Sequence, residues 1–71
     1  MTRDYIILWY SGDSETGRPC RLDEDNLLML CFGCRPTRFT KREAQNAIRR
    51  DRYARPACYE NGKARIEKAG G

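Results

Sequence analysis

The first apolar block, Tyr5-Ile6-Ile7-Leu8-Trp9-Tyr10, is apolar at odd and even positions alike. Its β-branched and aromatic residues favour a strand. A strand without alternation is one covered on both faces, so the pattern predicts a central strand of a sheet. Ser11 to Gly17 is a loop by composition. Arg18 to Leu22 predicts a second, short strand, with Pro19 suited to an edge or a strand start. Asp23-Glu24-Asp25-Asn26 reads as a turn, and Leu27 to Phe32 as the returning strand. A helix over 24–32 competes with that hairpin, because Leu and Met favour helices and short apolar runs are ambiguous. Gly33 and Pro36 end the element in either case.

The periodicity changes at Phe39. Thr40-Lys41-Arg42-Glu43 has the spacing of a capping box: the Thr40 hydroxyl accepts from the Glu43 amide, and the Glu43 carboxylate accepts from the Thr40 amide. Phe39 and Ala44 stand at the two positions of a hydrophobic staple. Ala44, Ala47 and Ile48 form a narrow apolar stripe at helical spacing. The helix is expected to end near Asp51 or Arg52, and Pro56 forbids its continuation.

Further on, Ala57-Cys58-Tyr59-Glu60 and Lys63 to Glu67 flank Asn61-Gly62, the sequence of a type I′ turn. A two-residue loop pairs Tyr59 with Ala64 and Cys58 with Arg65. That puts Ala57, Tyr59, Ala64 and Ile66 on the apolar face and Cys58 on the charged, solvent-facing one. Strand, hairpin, helix and hairpin together predict an α+β fold. It has a small antiparallel β-sheet of about four to five strands and one α-helix packed on one face. Residues 1–71 make a single domain with a flexible 69–71 tail.

Length limits that domain to a thin core. No apolar run approaches the roughly 20 residues that span a bilayer, and no apolar stretch resembles an export signal, so the expected setting is cytoplasmic. Charge adds more than length does. Residues 1–34 carry three basic and six acidic side chains, whereas 35–55 carry eight basic against Glu43 and Asp51. The basic charge is therefore concentrated around the helix.

From Thr37, the run Thr37-Arg38-Phe39-Thr40-Lys41-Arg42-Glu43-Ala44 resembles small uncharacterised bacterial and phage (prophage) accessory proteins. In those, an Arg-Phe pair precedes a capped, alanine-striped helix. The resemblance implies an accessory protein of phage or prophage type and no particular activity.

Three chemistries are candidates. The helix places Arg42, Gln45, Asn46, Arg49 and Arg50 opposite its apolar stripe, with Lys41 and Arg52 at the margins and Arg35 and Arg38 leading in. Guanidinium groups grip phosphates bidentately, so this is a candidate nucleic-acid interface. The alternative is an ordinary solvated face in an arginine-rich chain. Cys31-Phe32-Gly33-Cys34 has the spacing of a zinc knuckle, and a tetrathiolate site enlists Cys20 and Cys58. A four-residue loop over Glu24 to Leu27 sets Cys20 across from Cys31, which favours such a site; the absence of a second close pair opposes it. In a reducing setting the cysteines read first as thiols or metal ligands. The same Cys31 and Cys34 also have the spacing of a redox dithiol. The chain has no histidine, no phosphate-binding glycine loop and no nucleophile elbow, and Gly70-Gly71 lacks the preceding β-grasp order of a carrier protein. The expectation is a non-enzymatic binding or regulatory module with no required cofactor. A protein partner comes first, steered by the acidic 13–25 and basic 35–55 segments. Nucleic acid is the second expectation and zinc the third.

Overall fold

The computed structural model describes residues 2–69. Its strands are β1 (Tyr5–Ser11), β2 (Arg18–Leu22), β3 (Leu28–Leu30) and β4 (Gly62–Lys68). The helix α1 runs from Lys41–Ala54, and a 3-10 turn covers Pro56–Tyr59. The strands form one antiparallel sheet in the order β3-β2-β1-β4, with α1 on one face, an α+β fold.

β1 is internal to the sheet, as expected, but it is not covered on both faces as its unbroken apolar run predicts. Ile7 and Trp9 face the helix, opposite Ile66 and Ala64 of β4. Ile6, Leu8 and Tyr10 alternate onto the other face, where no second layer covers them, and they are half-buried. Side chains of neighbouring strands shelter that row: the Arg65 guanidinium lies 5.8 Å from the centre of the Tyr10 ring. Gly17 sits so close beneath Tyr10 that a Cβ there would come within 2.6 Å of the ring.

The β2–β3 hairpin forms, with a register different from the expected one. Leu22 faces Leu28 and Cys20 faces Leu30, so Cys20 is not opposite Cys31. The loop is one residue longer than expected because Asp23 organises it. Its carboxylate accepts from the amides of Asp25 and Leu27 at 2.8 and 2.9 Å, while Asn26 takes a left-handed φ of 62°. Pro19 lies at the start of an internal strand, the second of the two places expected for it, and not at an edge. It is tolerated because its nitrogen points past the end of β3, where a single bond from the Cys31 N–H to the Pro19 carbonyl closes the ladder.

Beyond Cys34 the chain returns between the splayed ends of β1 and β2. The Thr37 amide donates to the Cys20 carbonyl, Thr37 Oγ1 accepts from the Leu22 amide, and Phe39 exchanges two backbone bonds with Tyr5. That wedge delivers Phe39, which is buried, directly to the helix start. The capping box is present as expected: Glu43 N–H to Thr40 Oγ1 is 3.1 Å and Thr40 N–H to Glu43 Oε1 is 2.8 Å. The helix continues past Asp51 to Ala54 and stops two residues before Pro56.

The expected second hairpin is absent. Pro56 to Tyr59 is a 3-10 turn, and β4 pairs with β1 along its whole length, from Ser11 opposite Gly62 to Tyr5 opposite Lys68. Pro56 favours a helical turn at its first position, and Tyr59 is drawn down to the helix by a hydrogen bond to Asp51. Cys58 is exposed all the same. Ala69 extends the β1–β4 ladder through its amide to the Asp4 carbonyl; Gly70 and Gly71, the rest of the expected tail, lie outside the described residues. The core is thin: Ile7, Cys20, Leu28, Phe39, Ala44 and Ala47 are buried, with Trp9, Leu22, Leu30, Ile48, Ala64 and Ile66 packed around them.

Candidate functional site

The helix separates two kinds of surface. Its outer side carries Lys41, Arg42, Arg49, Arg50 and Arg52, and Arg38 stands across a groove from them; Arg35 does not join this face and lines a separate hollow with Arg21, Met29, Leu30 and Phe32. Arg35, Arg38, Lys41, Arg42, Arg49, Arg50 and Arg52 are all exposed, and among the described residues none of them forms an ion pair. A groove of about 320 Å³ opens between α1 and the wedge segment, lined by Arg3, Thr37, Arg38, Glu43, Asn46 and Arg50 with Phe39 and Ala47 at its floor. Glu43 is the acid in that groove, and its charge is engaged from two sides. The Thr40 backbone amide and then Arg3, at 3.1 and 3.2 Å, hold its carboxyl below the ordinary range. Arg38, Arg50 and Asn46 are left as donors to the open side of the groove. Arg52 lies 5.9 Å from the centre of the Tyr59 ring, at the far end of the helix, where Tyr53 is 90% exposed.

The inner side holds a residue that composition hid. Asp51 is 3% exposed, the buried charge of the molecule's interior. Its Oδ1 accepts from the Leu28 amide at 3.1 Å and from Arg55 through both Nε, at 3.1 Å, and Nη2; its Oδ2 accepts from the Tyr59 hydroxyl at 2.6 Å. Arg55 Nη2 also donates to the Leu28 carbonyl. Every buried side-chain polar atom among the described residues has a partner, which is what makes a charge at that depth tolerable. Burial and the bond to Asp51 push the Tyr59 phenol up, and pairing with Asp51 raises Arg55. The signal for Asp51 was available: it stands seven residues after Ala44 and four before Arg55, on the apolar stripe itself.

Above this cluster an apolar groove of about 400 Å³ lies against β3, lined by Trp9, Cys20, Leu28, Met29, Leu30, Phe32 and Cys58 with Asp51 and Arg55 at its base. Cys20 is buried there. Burial first, and then the nearby carboxylate of Asp51, push its thiol up to about 11, while Arg55 pulls it the other way. At neutral pH it is an inert, protonated packing group.

The four cysteines do not gather. Cys31 and Cys34 form a disulfide, with Cα atoms 5.6 Å apart, in place of the free thiols or metal ligands that the sequence suggests. Gly33, at φ 73°, turns the loop so that the two approach within bridging range. Cys20 is buried on β2 and Cys58 exposed on the 3-10 turn, and no group of three or more potential ligands able to hold a metal occurs among the described residues. The redox reading lacks its usual support as well, since α1 begins seven residues after Cys34 and its N-terminus is not at the pair. Phe32, between the two cysteines, is 67% exposed with the Arg18 guanidinium 5.4 Å from its ring centre. Among the described residues no helix is long and apolar enough to cross a membrane.

Comparison with known protein families, with curated proteins and with solved structures finds no match.

Proposed function

We propose that this domain is a non-enzymatic binding module whose arginine face takes the phosphate backbone of a nucleic acid. The observation that carries the reading is the basic groove beside α1. Arg38, Arg50 and Asn46 converge on one concave surface, the cations along the rest of the helix are exposed, and none of the seven forms an ion pair among the described residues. Free guanidinium groups on a rigid, capped helix offer bidentate donors to phosphate oxygens without a prior ion pair to break. Contacts of this kind fix position and affinity and carry little sequence preference.

The test is binding of duplex and single-stranded DNA as a function of salt. For about four neutralised phosphates, log Kobs falls by roughly 3.6 per tenfold rise in salt on duplex DNA. Replacing Arg38, Arg49 and Arg50 together by Ala makes that slope shallower and leaves thermal melting unchanged, because exposed substitutions shift stability by only about 0.5 kcal/mol. No binding by the unaltered protein at low salt would remove the nucleic-acid reading.

A protein partner is the second reading, favoured by one observation at the other side of the molecule. Met29 and Phe32 are exposed beside the apolar groove along β3, and exposed apolar groups around a groove are characteristic of protein contact.

A further inference from the structure

The sheet has two outer strands, and they are finished differently. On β3, the bonds from the Asp23 amide to Leu27 and from the Cys31 amide to Pro19 show that odd-numbered residues face β2. Leu28 therefore turns its own N–H and C=O outward, where Asp51 accepts from the first and Arg55 donates to the second. The acid–base pair stands where a neighbouring strand would stand.

On β4 nothing comparable is present. The bonds from the Gly12 amide to Asn61 and from the Ala69 amide to Asp4 close the β1–β4 ladder at its two ends. Odd-numbered residues of β4 consequently face β1, and Gly62, Ala64, Ile66 and Lys68 turn their backbone groups outward. Among the described residues no side chain or loop hydrogen-bonds to that outward row. It is an open seven-residue edge without proline or bulge, the kind of template on which another strand adds.

The charges on the strand select the occupant. Lys63, Arg65 and Glu67 alternate on the face away from the helix, with Tyr10 reaching both Arg65 and Glu67. An antiparallel pairing of β4 with itself, centred on Ile66, sets Arg65 opposite Glu67 of the second copy and Glu67 opposite Arg65 of the second copy. It also faces Ile66 with Ile66 and brings the outward backbone groups of Ala64 and Lys68 into register. Moving the centre to Ala64 opposes Lys63 and Arg65, moving it to Arg65 opposes that residue to itself, and moving it to Glu67 opposes two carboxylates. Directly opposed like charges destabilise a ladder and unlike charges support it.

We propose that β4 is a self-association edge, pairing antiparallel with β4 of a second copy about Ile66 to make one sheet continuous through both molecules. The two-fold axis of such a pair runs perpendicular to the sheet, so both helices lie on the same side. The arginine faces of the two copies are then presented together.

Sedimentation equilibrium on the full chain is the experiment. The pairing is an edge contact smaller than a standard interface, so the unaltered protein is expected to pass from monomer to dimer between roughly 1 μM and 1 mM. R65E is expected to stay monomeric through that range, and the reversal R65E/E67R to restore the dimer. K68P, which removes an outward N–H while leaving the bonds to β1 intact, is expected to weaken association at least tenfold. Circular dichroism melts of each variant separate lost pairing from lost folding. A protein that remains monomeric at 1 mM, a dimer indifferent to R65E, or a folded double reversal that fails to pair would each overturn the proposal.

Discussion

The two edges of this sheet show that backbone hydrogen-bonding capacity can be closed by side chains at one edge and left open at the other. At β3 the closing groups come from the end of the helix: Asp51 in the last turn of α1 and Arg55, the residue that caps it, reach over and satisfy Leu28. At β4 the strand is more than twice as long, and Trp9, which packs against Gly62 and meets Tyr59 edge-on, leaves its edge alone. Three residues at β3 make a weak strand on their own, since short ladders contribute few bonds. An external clamp compensates there. The β4 strand is held by a full ladder with β1 and needs no clamp.

The largest way to break the contrast is Asp51→Ala. It leaves the Leu28 amide and the Tyr59 hydroxyl without their acceptor and releases Arg55, so the domain is expected to lose about 3 kcal/mol. A urea midpoint equal to that of the unaltered protein would show that the clamp holds nothing. Hydrogen exchange sharpens the point, because the Leu28 amide should lose protection before those of Lys63, Arg65 and Glu67, which face β1.

Next comes Gly62→Ala, at the start of the open edge. A Cβ there would lie 2.4 Å from Cζ2 of Trp9, whose ring meets Tyr59 edge-on with centres 5.0 Å apart. Overpacking of that order costs about 2 kcal/mol. The Trp9 fluorescence should change with it; an unchanged spectrum and midpoint would place the ring elsewhere.

The smallest effect belongs to a residue that touches neither edge. Thr40→Ala removes the helix cap and is expected to cost about 1 kcal/mol. The same cap has a pH dependence with a definite sign. The folded-state carboxyl of Glu43 titrates below its ordinary value, so its contribution is fully present above the unfolded Glu range and is lost as pH falls through the lowered folded value. A carboxyl NMR titration of Glu43 reads this directly, and in Arg3→Ala, which removes a side-chain donor to that carboxylate, its midpoint should move upward.

Local chemistry was the legible part. The capping box needs only Thr40 and Glu43 at the right spacing, and β1 announces itself by six consecutive strand-forming residues. The misreadings arose where distant residues decide. Asn61-Gly62 has the composition of a tight turn, yet neither residue takes a positive φ; the glycine is required because Trp9, more than fifty positions earlier, occupies the space of its side chain. Alternation at Ala57 to Glu60 suggested a strand, and Asp51 claimed Tyr59 for a helical turn instead. Asp51 is hidden in a basic segment: composition marks it as a charge, and only its position on the apolar stripe marks it as interior. The arginine face was readable because exposure on a capped helix follows from period alone. The Cys31–Cys34 bridge was not, since it depends on how Gly33 turns.

The longest ladder of the molecule joins Tyr5–Ser11 to Gly62–Lys68, almost the whole chain apart. Such closure is entropically costly and slows folding relative to local contacts. During synthesis it has a further consequence. Ile7, a fully buried side chain, is made before β4 and has no β4 beside it until Lys68 has been added and cleared the exit. A nascent chain halted anywhere in between carries the stickiest strand of the protein with one side unpaired, so stalled or prematurely terminated products should aggregate where the complete ladder does not.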